Sequence, residues 1–486
     1  MKPLAVLSVV ALCGCAVGPD FHTPAAPDTQ TYMHEAQPAA TVAASGVAGA
    51  SQTFVAAEHA TPMWWQQFQS DALNRLVEQA LQQSPTLAQA RAKLIEAREN
   101  YNAQFGAATF PAVDATVSGV RQQVDIAAFG IPKVPNPGPF TLYNASVSVS
   151  YALDIFGGNR RTLEALMAQV DYQSFEFEAA RLSLAGNVVS TTVRRASLKQ
   201  QIALTQHLVD TQAQQLDITE RRFAAGGVSQ LDVRSQRTLL AQTRASLPPL
   251  ATQLAQTDHQ LAILLGMPPS KADFAELTLD SLHLPDTLPL TLPSTLARER
   301  PDIRASEALL HQASANVGVA TANLYPQFAL SAGIGSERTN IRDVVSGLNI
   351  WNFGLNLTQP IFRGGELRAR KRSAQAAYDA ALADYQQTVL QALQQVADTL
   401  RALQNDAHEL QARDDAAQQA QASLDIAHAQ YSAGGVSQFG LLDTQRQVLQ
   451  TALDRTRAQA DRFADTAALF QSLGGGWQAA TTTSTP

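Results

Sequence analysis

Cys15 is the residue whose type and setting point most directly to a chemical reaction. It follows Lys2 and a short apolar run, residues 4–12, that is too short to cross a bilayer as a mature helix and is typical of a secretory signal. The segment Leu12-Cys13-Gly14-Cys15 resembles a bacterial lipobox, in which the cysteine thiol takes a diacylglycerol. We expect residues 1–14 to be a signal peptide and Cys15 to carry a diacylglycerol and an N-acyl lipid. An ordinary signal peptide with two incidental cysteines is the alternative.

Other side chains with catalytic potential do not form a pattern known for catalysis. The nine histidines are scattered, and the sequence has no His-Glu-x-x-His, no phosphate-binding glycine loop ending in Lys-Ser/Thr and no Gly-x-Ser-x-Gly elbow. The net charge of −7 also makes a nucleic-acid partner improbable, because an acidic excess repels phosphate. We predict no enzyme activity, no metal and no cofactor apart from the lipid on Cys15.

The sequence Ala-Gly-Gly-Val-Ser-Gln occurs twice, at residues 225–230 and 433–438, 208 residues apart. Such a match is rare by chance, so it indicates a duplicated unit. Glycines after a helix supply the left-handed conformation that ends it, and the serine caps the next helix. Each copy therefore predicts a turn between two helices, with four glycines as turn residues: Gly226, Gly227, Gly434 and Gly435.

A long helical pattern precedes each turn. Residues 159–224 and 366–432 contain no proline and much Ala, Gln, Leu and Arg. At about 1.5 Å per residue each helix would be roughly 100 Å long, which suits helices packed side by side. A second amphipathic helix follows each turn, and Pro248-Pro249 predicts a kink or break in the first of these.

Four segments alternate apolar and polar residues, at 112–122, 141–152, 327–337 and 350–360. In the last one, Trp351, Phe353, Leu355 and Leu357 share one face. A soluble hairpin also alternates in this way, but so does a transmembrane β-barrel strand. Four strands cannot close a barrel, and an open edge in lipid leaves backbone groups unpaired. A barrel of such strands must therefore be completed by copies of the chain.

Five segments resemble the TolC-like outer-membrane factors, in particular the lipoprotein (NodT-type) branch that serves RND efflux pumps. They are Cys15-Ala16-Val17-Gly18-Pro19-Asp20-Phe21, Tyr151-Ala152-Leu153-Asp154-Ile155-Phe156-Gly157, Leu296-Ala297-Arg298-Glu299-Arg300-Pro301-Asp302-Ile303, Gln359-Pro360-Ile361-Phe362-Arg363-Gly364-Gly365 and Leu473-Gly474-Gly475-Gly476-Trp477. The resemblance implies a mainly α fold with a transmembrane β-barrel part. Three protomers would each give four strands to a twelve-stranded barrel, continuous with a long periplasmic α-helical barrel.

The resemblance and the duplication together predict the domain organisation. After the signal peptide come a lipid-anchored tether (15–62), a first repeat (63–266, with its hairpin at 159–265), an equatorial connector (267–299), a second repeat (300–473, with its hairpin at 363–473) and a flexible tail (474–486).

Site residues follow from the resemblance by position. Asp443 matches an inner gate carboxylate, while Gly440 stands where a second acid would be. Tyr431 matches a tyrosine that latches the hairpins, with Asp232 as its carboxylate partner, and the arginines that often join this network are missing here. The alternatives are a solvated Asp443, a core Tyr431 and a surface Asp232. The four turn glycines would lie at the periplasmic tips where the adaptor docks.

The implied function is a passive exit duct in the bacterial outer membrane, for drugs or other small toxic compounds. Its partners would be two further copies of the chain, a periplasmic membrane-fusion adaptor, an inner-membrane RND pump and outer-membrane lipid. A duct for type I protein secretion and a poreless coiled-coil lipoprotein are the alternatives.

Overall fold

The computed structural model describes residues 16–57, 62–126 and 135–476. The predicted signal peptide, Cys15 and the tail from Trp477 lie outside these residues. The elements outside the main sheet and the two hairpins are β1 (Thr53–Ala56), α1 (Asp71–Gln83), α2 (Pro85–Thr109), β4 (Thr287–Leu290), α5 (Pro293–Glu299) and α6 (Pro301–Ala322). Within the described ranges, no helix is both long enough and apolar enough to cross a membrane.

The four predicted strands exist and form one antiparallel sheet in the order β2-β3-β5-β6. Their boundaries agree with the predicted ones to within two residues: β2 is Ala112–Gln122, β3 Phe140–Leu153, β5 Gln327–Arg338 and β6 Ile350–Thr358. Period-two alternation is a local signal, which is why it places strands well.

The register of the strands gives the sheet one apolar and one polar face. Tyr151 pairs with Leu330, which pairs with Leu355, and Val147 pairs with Ile334, which pairs with Trp351. The opposite face carries small and polar residues, among them Ser146, Ser148, Ser150, Ser331, Asn352 and Asn356. On the apolar face Trp351 is 79% exposed and Phe353 72%. The protomer therefore leaves a wide apolar sheet surface uncovered.

The two helical hairpins have the same helix lengths and equivalent helix boundaries. The first consists of α3 (Gly158–Ala224) and α4 (Gln230–Leu264), and the second of α7 (Glu366–Ser432) and α8 (Gln438–Ser472). The long helices have 67 residues each and the returning helices 35 each. Every helix boundary in one hairpin thus repeats in the other at the same offset of 208 residues as the turn sequence.

A kink or a break was predicted at Pro248-Pro249, and the break is wrong, because α4 continues through both prolines. The helix is anchored on both sides of them by buried apolar side chains, Val233 and Leu240 before and Leu261 after. This packing outweighs the loss of two backbone N–H donors.

The chain divides into two compact units. A sheet unit contains the described part of Met1–Pro24, together with Lys93–Gln173 and Ser306–Tyr385. A helical unit contains Ala25–Ala92, Ser174–Ala305 and the described part of Gln386–Pro486. The core of the helical unit holds buried aromatic rings, with Trp64 and Phe470 stacked at 5.6 Å between centroids.

The segment predicted as an extended tether packs on the helical unit instead. Residues of β1 pair in parallel with β4, and the Tyr32 hydroxyl donates to the carbonyl of Thr291 at 2.8 Å. Gln52 is fully buried. The segment is rich in Ala, Pro and Thr and has no periodic pattern of apolar residues. Its short strand could not be predicted locally, because the partner strand lies more than 200 residues away in the sequence.

Candidate functional site

The first hairpin turn has the geometry of a Schellman motif. Gly226 has φ +75°, its N–H donates to Phe223 O at 2.9 Å, and the N–H of Gly227 donates to Arg222 O at 2.8 Å. Ser229 then caps α4 through its side chain. A Cβ placed on Gly226 would meet no atom within 4 Å, so the backbone conformation alone favours glycine here.

The second turn repeats this arrangement. Gly434 has φ +77° and donates to Tyr431 O at 3.1 Å, Gly435 donates to Gln430 O at 2.8 Å, and Ser437 caps α8. The predicted role of the four glycines in the turns is therefore confirmed, with the left-handed conformation at Gly226 and Gly434. Their role in adaptor docking stays a prediction.

Tyr431 and Asp232 are not brought together as a pair. The Tyr431 hydroxyl accepts a hydrogen bond from Arg222 Nη1 at 2.9 Å, and the Arg222 guanidinium also lies 5.6 Å from the centre of the tyrosine ring. The carboxylate of Asp232 accepts from the backbone N–H and the hydroxyl of Ser229, at 2.9 and 2.7 Å. Asp232 thus occupies the N3 position of a capping box, and both of these hydrogen bonds go to its Oδ2.

Arg222 is the functional candidate that the sequence analysis missed, since it predicted a latch without an arginine. In the duplicated register Arg222 corresponds to Gln430, and Phe223 corresponds to Tyr431. The contact joins a residue of the first copy to a residue of the second. A comparison of the last turns of α3 and α7 at the 208-residue offset would have exposed this exchange.

Asp443 lies near the start of α8 with its side chain 50% exposed. Its carboxylate pairs with Arg446 Nη2 at 2.6 Å, one turn along the same helix. An exposed pair of this kind contributes only about 0.3 kcal/mol, so it yields readily to other partners. The role of Asp443 as a pore gate remains a prediction, and the position of a second acid is occupied by Gly440.

Near these residues the two hairpins meet through buried amides. Gln438 Nε2 donates to Gln236 Oε1 at 3.1 Å, and Gln236 Nε2 donates to Gln212 O at 3.3 Å. The side-chain amide of Gln445 is buried and has no hydrogen-bond partner among the described residues. Because a buried amide left without a partner costs about 1–3 kcal/mol, these hydrogen bonds favour one register between the two hairpins.

A buried acidic cluster lies farther along α7 and α8. Asp406 shares a side-chain hydrogen bond with Asp465, and burial, followed by this contact, raises the pKa of Asp406 to about 8. Burial and the charge of Asp465 also raise the pKa of Asp461. In the described part of the chain, no group of three or more metal-binding side chains is arranged to hold a metal ion. The raised pKa values of Asp406 and Asp461 make the contribution of this cluster to stability depend on pH.

Replacing Asp406 by asparagine should stabilise the protein at alkaline pH. The pKa of Asp406 in the folded protein exceeds its ordinary value of 3.8, so the folded state holds a proton that the unfolded state lacks, and wild-type stability falls as pH rises from about 4 to about 8. Asparagine keeps a donor toward Asp465 and removes the repulsion from Glu409 and Asp461. We expect a melting temperature about 3 °C above wild type at pH 8.5.

The measurement is a thermal melt of both proteins across pH 4 to 9. The advantage of Asp406→Asn should shrink toward pH 4, although Arg457 and Arg462 also act on the cluster. Asp398→Asn, an exposed site on the same helix, serves as control. A pH-independent difference between Asp406→Asn and wild type would contradict the shared proton.

The segment after Cys15 is fixed to the sheet unit. The N–H of Val17 donates to Phe156 O at 3.1 Å, and Arg161 Nη2 donates to Asp20 Oδ1 at 2.6 Å, which lowers the pKa of Asp20. Ala16 approaches Gly157 so closely that a Cβ there would lie 2.6 Å from the alanine Cα. Ala16, the residue that follows Cys15 in the sequence, therefore lies against Gly157, four residues after the end of β3.

Comparison with known proteins agrees with this architecture. The chain is 29% identical to the pyoverdine export outer membrane protein OpmQ of Pseudomonas aeruginosa, over 98% of each chain. It is also 29% identical to the toluene efflux pump outer membrane protein TtgI of Pseudomonas putida, again over 98% of each. The solved structure of the outer-membrane channel OprN is 30% identical, with a TM-score of 0.83 over 96% of this chain and 100% of that one.

A sheet with one exposed apolar face, joined to two long helical hairpins, defines a TolC-like outer-membrane channel fold. The family model described as outer membrane efflux protein matches residues 76–267 and 292–475, one segment for each repeat. The chain belongs to the outer membrane efflux protein family.

Proposed function

We propose that this protein is the outer-membrane exit duct of a tripartite RND-type efflux pump and that it acts as a homotrimer. The observation that carries the proposal is the exposed apolar face of the four-stranded sheet. Its end strands, β2 and β6, have no further partner among the described residues. Three copies would pair β6 of one protomer with β2 of the next and close a twelve-stranded barrel without an open edge in lipid.

The duct would be anchored by lipid and joined to partners at its periplasmic end. Ala16 lies at the base of the sheet, so acyl chains on Cys15 would enter the same membrane that the sheet spans. The hairpin turns, whose glycines are open to solvent, would meet the adaptor, which connects the duct to the inner-membrane pump.

The cargo would be small molecules. Two relatives that match the chain equally well are named for different compounds, pyoverdine and toluene. Compounds that differ so much in polarity fit a conduit that does not bind its cargo tightly. Selection would then take place at the pump.

The proposal is tested by the conductance of the detergent-purified protein in planar bilayers. We expect a low-conductance, cation-preferring channel whose cation preference falls in Asp443→Ala, because three aspartates around a narrow pore attract cations. Asp217→Ala is the matched control, since Asp217 is also exposed and pairs with an arginine, Arg221, on its own helix.

The possible results separate the channel from its gate. If wild type conducts and Asp443→Ala behaves like Asp217→Ala, the duct stands and the gate assignment is wrong. If no protein conducts, the duct itself is refuted and a poreless lipoprotein becomes the better description.

A further inference from the structure

A dense basic cluster lies at the start of α7, directly after β6. Five basic residues and one acidic residue, Glu366, fall within ten positions and leave a net charge of +4 in a chain whose total is −7. The basic residues, called the α7 basic cluster below, are Arg363, Arg368, Arg370, Lys371 and Arg372. The cluster has no place in the gate or in the hairpin turns.

Most of this charge is not neutralised within the protomer. Arg370 pairs with Glu366 at 2.7 Å. Arg363, Arg368 and Arg372 are exposed and have no carboxylate partner among the residues that the structure describes. Like charges at this density repel one another, so an external anion would lower the free energy of the folded protein.

The duplicated half of the chain provides an internal comparison. At the offset of 208 residues, Arg370, Lys371 and Arg372 correspond to Thr162, Leu163 and Glu164. The arginines that begin α3 have carboxylate partners, with Arg160 3.5 Å from Asp154 and Arg161 2.6 Å from Asp20. The first copy thus balances its charge within the chain and the second copy does not.

Two large apolar side chains stand directly before the cluster. Ile361 is 89% exposed and Phe362 87%, only three and four residues after the last residue of β6. Leu357, near the end of the same strand, belongs to the exposed apolar face of the sheet. Apolar side chains followed at once by basic ones are the pattern by which proteins contact the boundary between acyl chains and headgroups.

We propose that the α7 basic cluster binds the phosphate groups of anionic phospholipids, with Ile361 and Phe362 inserted among their acyl chains. The proposal rests on the proposed function, because it takes the sheet to span the membrane. The lipid would belong to the leaflet that faces the periplasm, since α7 leaves the sheet on the side of the helical hairpin. A nucleic acid would use the charges but would leave the two apolar side chains without a partner.

The test uses the full-length protein, purified in a neutral detergent and stripped of lipid. Native mass spectrometry counts the phosphatidylglycerol and phosphatidylcholine molecules bound per protein as each lipid is titrated. We expect wild type to prefer phosphatidylglycerol and Arg368→Gln/Arg372→Gln to bind it about tenfold more weakly. Arg234→Gln/Arg244→Gln, two exposed arginines on α4, removes the same charge and should bind as wild type does.

Two further measurements test the contribution of the apolar side chains to lipid binding and the activity of the channel without anionic lipid. Ile361→Ser/Phe362→Ser should weaken both lipids while leaving the preference for phosphatidylglycerol in place. Binding of phosphatidylglycerol that is equal in wild type and Arg368→Gln/Arg372→Gln would overturn the proposal, and so would an equal loss in the α4 control. Conductance in bilayers of phosphatidylcholine alone tests the duct separately, because a channel that conducts there but shows no lipid preference refutes only this inference.

Discussion

Replacing Arg462 by methionine is expected to detach the N-terminal segment from the helical unit and to destabilise the protein strongly. The side chain is fully buried in α8. Its Nη1 donates to Ala48 O at 2.7 Å, and its Nη2 donates to Ala50 O at 2.7 Å and to Thr41 Oγ1 at 2.9 Å. One guanidinium therefore holds three points of a segment that lies more than 400 residues earlier in the sequence.

The size of the destabilisation follows from the buried polar groups that methionine cannot hydrogen-bond. The carbonyls of Ala48 and Ala50 lose their buried donor, at about 1–3 kcal/mol each, while the Thr41 hydroxyl loses one donor and keeps the N–H of Gln52 at 3.0 Å. The wild-type arginine already bears a desolvation cost, because burial lowers its pKa to about 10, and its removal returns part of that free energy. A net loss of about 3–4 kcal/mol, or roughly 3–4 °C in melting temperature for a chain of 486 residues, is the expected balance.

Thermal melting and limited proteolysis measure this effect. Cleavage within residues 32–57 should become much faster in Arg462→Met than in wild type. Arg457→Met is the matched control, because Arg457 lies on the same helix but is about half exposed and bonds to Gln201 and Asp454. If the two variants melt within 1 °C of each other, roughly 1 kcal/mol for a chain of this length, the guanidinium does not hold the segment.

Arg462 also shows why part of this fold can be predicted from the sequence and part cannot. The strands and the turns rest on local signals, namely alternation along β6 and a glycine at the left-handed position of each turn. The partners of Arg462 lie 412 to 421 residues away, and no local pattern indicates them. The same reason accounts for β1, whose only strand partner among the described residues is β4.

The structure gives Tyr431 a different hydrogen-bond partner from the one predicted for the latch. Tyr431 was located by its position before the glycine turn, which is a local feature. Asp232 was matched by position alone, and its Oδ2 accepts from Ser229, the residue three positions earlier in a capping box. Arg222 reaches Tyr431 across 209 positions.

The second large effect is expected at this latch, where exchanging each residue for its counterpart in the other copy should open the channel. Arg222→Gln installs the residue found at Gln430, and Tyr431→Phe installs the residue found at Phe223. Arg222→Gln removes both the hydrogen bond and the contact of the cation with the ring, whereas Tyr431→Phe removes only the hydrogen bond. Arg222→Gln should therefore have the larger effect.

In a trimer the contact between Arg222 and Tyr431 would occur three times, so its contribution to the closed state would be three times as large. At this partly exposed site the hydrogen bond and the ring contact together contribute about 1 kcal/mol per protomer. If the three protomers of the proposed duct open together, about 3 kcal/mol is lost, which favours the open state roughly 100-fold. Single-channel recording measures this as a rise in open probability, and the double variant should open no more than Arg222→Gln, because both changes remove the same contact.

Asp232→Asn decides between the two assignments of the latch. If Arg222 is the partner of Tyr431, Asp232→Asn alters only the cap of α4 and leaves the open probability near that of wild type, while a small loss of thermal stability reports the weaker cap. If Asp232→Asn opens the channel as much as Tyr431→Phe does and Arg222→Gln does not, the carboxylate is the true partner in the assembled channel. The contact across the two copies of the repeat would then belong to the isolated protomer, and closure of the duct would depend on a rearrangement of the α4 cap during assembly.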